Sequence, residues 1–184
     1  MDGYLRLLSM YSPAATQVNH NLIGSHDTPR FLTAANGRMQ ALELATLFQL
    51  TTPGAPGLYY GDEFSMEGED DPWCRGAVPW GSMIGDRSKQ VAEMSALRNH
   101  HTQLRVGGFR LIEARNRLIV FERRGPSVAT VAINDGEAPV RLELAGTAEP
   151  GSSAELVLTV GEGATMLPNA TVLAPHSGAV WVHN

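Results

Sequence analysis

The sequence predicts an α/β part followed by an all-β part, and three observations carry that reading. Before residue 107, long helical patterns of period near 3.6 alternate with short apolar runs that end in polar residues. After Gly107–Gly108 the apolar period drops to 2, in short segments separated by Gly, Pro, Asn and Asp. The order in the first part is strand, helix, strand, helix, and such βα units imply parallel strands joined by right-handed crossovers. The division therefore falls between residues 1–106 and 107–184.

Within the first part, Tyr4 to Tyr11 reads as the end of a helix, stopped by Ser12–Pro13. Asn19 to Gly24 is a short extended run leading into Ser25-His26-Asp27. Thr28 is placed to cap a helical turn with Pro29 at its first position, where a missing N–H costs nothing. Arg38 to Thr52 is a strong helix. Its polar residues Gln40, Glu43, Thr46 and Gln49 leave a broad apolar surface of Met39, Leu42, Leu44, Leu47, Phe48 and Leu50. Pro53–Gly54 ends it, and Leu58-Tyr59-Tyr60 is the second strand, terminating at Gly61-Asp62-Glu63. After an irregular loop, Ser88 to Gln103 forms another helix, with Val91, Met94, Leu97 and Leu104 as its stripe. Two strands cannot close a barrel, and an eight-stranded βα barrel takes about 250 residues. Barrel segments are therefore expected upstream of Met1.

The second part supplies strands at Phe109–Ala114 and Leu118–Arg123, paired around Arg115–Asn116. Val128–Ile133, Val140–Leu144, Glu155–Val160, Thr171–Ala174 and Ala179–His183 follow, with Asn134-Asp135-Gly136 as a turn signal. An antiparallel β-sandwich is the natural outcome.

Composition narrows the partners. The 184 residues are 43% hydrophobic and 18% charged, with a net charge of -5. The 14 basic residues are scattered, which argues against nucleic acid or an anionic membrane as the main partner. Cys74 is the only cysteine, so an intrachain disulfide and a Cys-based zinc site are excluded. This fits a reducing compartment, and a cytoplasmic location is expected. No apolar run approaches the roughly 20 residues needed to span a bilayer, and Leu5–Met10 is too short and interrupted for a signal peptide.

The most informative segment is Asn21-Leu22-Ile23-Gly24-Ser25-His26-Asp27-Thr28-Pro29-Arg30. Apolar residues feed a strand whose C-terminal end presents a His–Asp pair, and in a βα barrel that end is the active face. A carboxylate beside an imidazole can accept hydrogen bonds from two sugar hydroxyls while the ring donates another. A bare His–Asp pair would favour a mere cap of the following turn; the flanking matches reverse that balance.

This run resembles the fourth signature region of the α-amylase family of glycoside hydrolases. Pro53-Gly54-Ala55-Pro56-Gly57-Leu58-Tyr59-Tyr60-Gly61-Asp62-Glu63 is similar to that family's eighth strand. Asp71-Pro72-Trp73-Cys74-Arg75, with Val78-Pro79-Trp80, resembles a loop of its cyclomaltodextrinase, neopullulanase and maltogenic amylase branch. The resemblance implies the last two βα units of a (β/α)8 TIM barrel followed by a C-terminal antiparallel β-sandwich. It implies retaining cleavage of α-glucosidic bonds, with Asp27 as the transition-state-stabilising carboxylate and His26 as its partner. Hydrogen bonds that strengthen as an oxocarbenium ion forms supply several kcal/mol in such enzymes. Arg30, Asp71 and Arg75 are the substrate-binding candidates. For Asp71 and Arg75 a surface ion pair of little worth is an equal alternative. Trp73 is either a sugar platform or a residue packing its loop onto the barrel.

Asp62 and Glu63 are adjacent and leave a strand on opposite sides, so they do not form an acid–nucleophile pair. The family's nucleophile and acid/base belong to its fourth and fifth strands, which places them before Met1. The chain is therefore expected to be a fragment that is inactive alone. Its partners would be α-glucan oligosaccharides or cyclodextrins, with self-association through the barrel remnant. A non-catalytic glucan-binding module and a branching or trehalose-forming transglycosylase are the alternatives. No cofactor is expected. The carboxylates of Glu67-Gly68-Glu69-Asp70-Asp71 could hold calcium but lack EF-hand spacing.

Overall fold

The computed structural model describes residues 2–82, 85–143, 153–167 and 170–183. Its helices are α1 (Asp2–Met10), α2 (Pro13–Val18), α3 (Phe31–Ala34), α4 (Met39–Thr51), α5 (Asp86–His100) and α6 (Thr102–Val106). The first part contributes two short strands, β1 (His20–Leu22) and β2 (Ala55–Gly57), paired in parallel with His20 opposite Ala55. The second part contributes β3 (Gly108–Arg115), β4 (Leu118–Arg124), β5 (Val128–Asn134) and β6 (Val140–Leu142). It then adds β7 (Ala154–Val160), β8 (Ala164–Leu167), β9 (Ala170–Leu173) and β10 (Ser177–His183).

The strands of the second part form two sheets, in the orders β3-β4-β5-β10-β7 and β6-β9-β8, all antiparallel. Alternation assigns the two faces of the larger sheet. Leu118, Val120, Ala132, Ala179 and Trp181 meet Leu142 and Leu173 of the smaller sheet, which is the sandwich core. Phe121, Val131, Ile133, Val160 and Val180 meet Leu44, Leu47, Leu50 and Met94 of α4 and α5. The larger sheet is thus covered on both faces, and every residue of β10 is buried. Helices, large sheet and small sheet make three layers, and the two parts share one core across residue 107.

Several boundaries differ from expectation, each for a visible reason. The second strand lies at Ala55–Gly57 rather than Leu58–Tyr60, because the Tyr60 carbonyl accepts from Arg30 instead of a strand neighbour. Gly57 permits that pairing, since a Cβ there would collide with the His20 ring. Ser12–Pro13 ends α1 and also starts α2, with Ser12 Oγ accepting from Ala15 N at 3.2 Å and Pro13 in the first turn. Thr28–Pro29 starts no helix; α3 begins at Phe31 with Arg30 in the capping position. His101 is extended and divides the expected long helix into α5 and α6. The β3–β4 turn sits one residue later, at Asn116–Arg117, where both φ angles are positive (46° and 64°). Such turns match the twist of the flanking strands. β8 was not expected, being short and mostly exposed. β6 ends at Leu142, and Leu144 lies outside the described residues.

Two polar residues of α4 are also inside, not on a solvated face. Thr46 Oγ1 donates to Leu42 O at 2.7 Å. Gln49 Nε2 donates to Asn21 O and Gly57 O, both at 2.8 Å, and so ties β1 to β2. No helix among the described residues is long and apolar enough to cross a membrane.

Candidate functional site

β1 delivers the chain into a polar turn whose side chains remain largely in solvent. Ser25 Oγ accepts from Asp27 N at 3.2 Å and lies 3.3 Å from Thr28 Oγ1. This local bonding fixes the turn and sets His26 Nε2 at 3.3 Å from Asp27 Oδ1, with the two side chains 62% and 69% exposed.

The loop after β2 brings a second pair to the same place. A 3-10 turn at Trp73–Arg75 places Cys74 inside, its Sγ donating to His26 O at 3.3 Å. Arg75 Nε donates to the same carbonyl at 3.1 Å and stands 3.1 Å from Asp71 Oδ1. Arg75 Nη2 lies 3.7 Å from Asp27 Oδ1. His26, Asp27, Asp71 and Arg75, separated by up to 49 positions, therefore form one exposed cluster. Two carboxylates accept, a guanidinium fork and an imidazole donate, and all face water: a set suited to vicinal hydroxyls. Trp73 does not pack its loop down, since its side chain stands in solvent and Cys74 does the packing.

Arg30 requires a correction. It lies fully buried, not at a surface where a sugar could meet it. Its Nη1 donates to Tyr60 O at 2.7 Å and sits 3.5 Å from Asp62 Oδ1. Its guanidinium carbon lies 4.7 Å and 4.9 Å from the ring centroids of Tyr59 and Tyr60. Those tyrosines reach the loop: Tyr59 Oη donates to Cys74 O at 3.3 Å, and Tyr60 Oη to Gly76 O at 3.1 Å. Neither tyrosine was singled out from sequence, where an aromatic pair reads as buried strand. Glu63 turns away, accepting from Gly61 N at 2.6 Å. Among the described residues, no group of three or more His, Cys, Asp or Glu side chains could hold a metal ion.

Burial pushes the Asp62 carboxyl up to about 6, outweighing the pull of Arg30 in the other direction. Because folding raises this value, Asp62 favours the folded state most while protonated. That contribution is lost as pH rises from its ordinary 3.8 through about 6. Carbon-13 NMR of the labelled Asp62 carboxyl should show a midpoint near 6. A midpoint near the ordinary carboxylate value would mean that the group is solvated.

The α-amylase catalytic-domain profile matches residues 4–108. A cyclomaltodextrinase of Thermoanaerobacter pseudethanolicus is 36% identical over 137 residues, covering 72% of this chain and 24% of that protein. Neopullulanase 2 of Thermoactinomyces vulgaris is 47% identical over 75 residues, covering 41% of this chain and 13% of that one. The acarbose-soaked debranching enzyme of Nostoc punctiforme superimposes with a TM-score of 0.84 at 27% identity, over 97% of this chain and 36% of its own. The chain belongs to the α-amylase family of glycoside hydrolases, as a barrel part with a C-terminal β domain. It spans about a quarter of the length of the cyclomaltodextrinases it matches.

Proposed function

We propose that this chain supplies the sugar-binding and transition-state-stabilising part of a retaining α-glucan-acting hydrolase. By itself, the 184-residue polypeptide would bind α-glucan without cleaving it. The convergence of Asp27, His26, Asp71 and Arg75 carries this reading. Asp27 would accept hydroxyls of the sugar at the cleavage point and hold them more strongly as positive charge develops on the ring. His26 would donate to a neighbouring oxygen. Arg75 and Asp71 would hold the next glucose unit. The relatives named as cyclomaltodextrinase and neopullulanase support cyclodextrins and maltooligosaccharides as the ligand class.

The cluster offers hydroxyl-binding groups rather than a full catalytic pair. Retaining cleavage needs a nucleophile and a proton donor about 5 Å apart. Here the two exposed carboxylates are joined through one guanidinium, and the buried Asp62 is engaged by Arg30.

Calorimetric titration with maltotriose and β-cyclodextrin tests this directly. Arg75→Ala should weaken binding about 10- to 100-fold, the worth of a charge-assisted hydrogen bond. Thermal stability should change little, because Arg75 is half exposed and its ion pairs are screened. Absent binding, an unchanged affinity in the variant, or reducing-sugar release by the pure chain would each refute the proposal.

A further inference from the structure

We propose that the buried Arg30–Asp62 pair positions the sugar-binding cluster by holding the Asp71–Arg75 loop against the His26–Asp27 turn. This rests on the reading of that cluster as a sugar site. Three segments distant in sequence meet here: the turn after β1, the run after β2, and the loop from Met66 to Gly76. Arg30 touches all three. Its backbone N–H donates to Gly68 O at 2.9 Å, its Nη1 donates to Tyr60 O, and it lies three residues beyond Asp27.

The rings flanking the guanidinium then carry the placement outward. Tyr59 holds the carbonyl just before Arg75, and Tyr60 the carbonyl just after it. Arg75 returns to His26 O and Asp27, so the contacts close into a ring around the site. The cluster itself is exposed and joined by weak surface ion pairs. Its geometry must therefore be imposed from below, where Arg30 and Asp62 are almost fully buried.

The pair depends on itself. Arg30 Nε, Arg30 Nη2 and Asp62 Oδ2 have no hydrogen-bond partner among the described residues. The turn above presses close, since a Cβ on Gly24 would stand 3.2 Å from Asp62 Oδ2. The other charges that act on Asp62 are Arg87 from α5 and Glu63 beside it, with Glu43 of α4 acting on Arg87. Burial raises the Asp62 carboxyl to about 6, so at neutral pH it is ionised and Arg30 supplies its counter-charge.

Hydrogen–deuterium exchange of residues 71–76 at pH 7 tests the proposal in the full chain. In Asp62→Asn the protection of this loop should fall about tenfold relative to the wild type, while the rest of the fold keeps its protection. His26→Gln, which leaves the His26 carbonyl in place, should keep wild-type protection. A folded Asp62→Asn with wild-type protection, or a His26→Gln as loose as Asp62→Asn, would each overturn the proposal. If Asp62→Asn does not fold, Arg30→Lys, which keeps the buried charge but loses the guanidinium fork, decides instead, and wild-type protection there would overturn it. Maltotriose affinity should fall with loop protection in Asp62→Asn; His26→Gln, itself a sugar contact, is read by exchange alone. A wild type with no sugar affinity would sink the sugar reading, while the exchange comparison would still decide the positioning role.

Discussion

Arg98→Met should cost about 3–5 kcal/mol, because several buried carbonyls lose their donor at about 1–3 kcal/mol each. Arg98 is buried, and its guanidinium donates to four backbone carbonyls: Leu50, Thr52 and Leu104 through Nη1, and Gly54 through Nη2. Leu50 and Thr52 lie at the C-terminal end of α4, where carbonyls have no helical partner and the helix dipole favours a cation. Gly54 leads into β2, and Leu104 belongs to α6. One side chain therefore fixes where α4 stops, where the second strand starts and where the last helix docks. Methionine keeps much of the stem's volume but leaves four buried acceptors bare. With total stabilities of about 5–15 kcal/mol, such a loss removes a large fraction of the folded state. Urea denaturation measures it; a change below about 1 kcal/mol would show that solvent replaces those bonds. Arg123 of β4 adds bonds to Thr51 O and Gly107 O. Burial, followed by the charge of Arg98, lowers its pKa to about 10, so it remains cationic at neutral pH.

The succession of βα units and strands was legible because it depends on period and on Gly and Pro punctuation, both local properties of the chain. The His26–Asp27 turn and the Asp71–Arg75 loop were legible through their resemblance to a family, and the structure brings them together. What was not legible depends on three-dimensional burial. Arg30 looked like a surface ligand because arginine usually is one; only the stacking of two tyrosines over it reveals an interior place. From sequence, Thr46 and Gln49 read only as polar residues that leave the rest of α4 apolar. No sequence pattern signals that the far side of α4 meets Arg87, which donates to Thr46 Oγ1 at 2.5 Å, or the paired strands, to which Gln49 donates. The strand near Tyr59 was misplaced by three residues because apolar aromatic runs and strands share a composition. The apparent domain boundary at residue 107 marks a change of period, but periodicity is silent about whether two parts share a core.

That shared core leads to the other large effect. Leu47→Ala should destabilise the protein by about 2–5 kcal/mol, the range for deleting a buried leucine side chain. Leu47 is fully buried on α4, in the cluster that includes Phe121, Val131 and Val180 of the large sheet. It packs so closely on β10 that a Cβ at Gly178 would overlap it. A cavity there loosens the helix layer and the sandwich together. Calorimetry should show one transition for both parts, lowered by roughly 5–15 °C given the usual scaling for a chain of this size. The effect should reach the sugar site although Leu47 touches none of it. Two residues further along α4, Gln49 bridges Asn21 of β1 and Gly57 of β2. The large sheet thus supports the helix, the helix aligns the strand pair, and the strand pair carries His26 and Asp27 outward. Two separate transitions, with only one of them shifted, would show that the sandwich does not buttress the site.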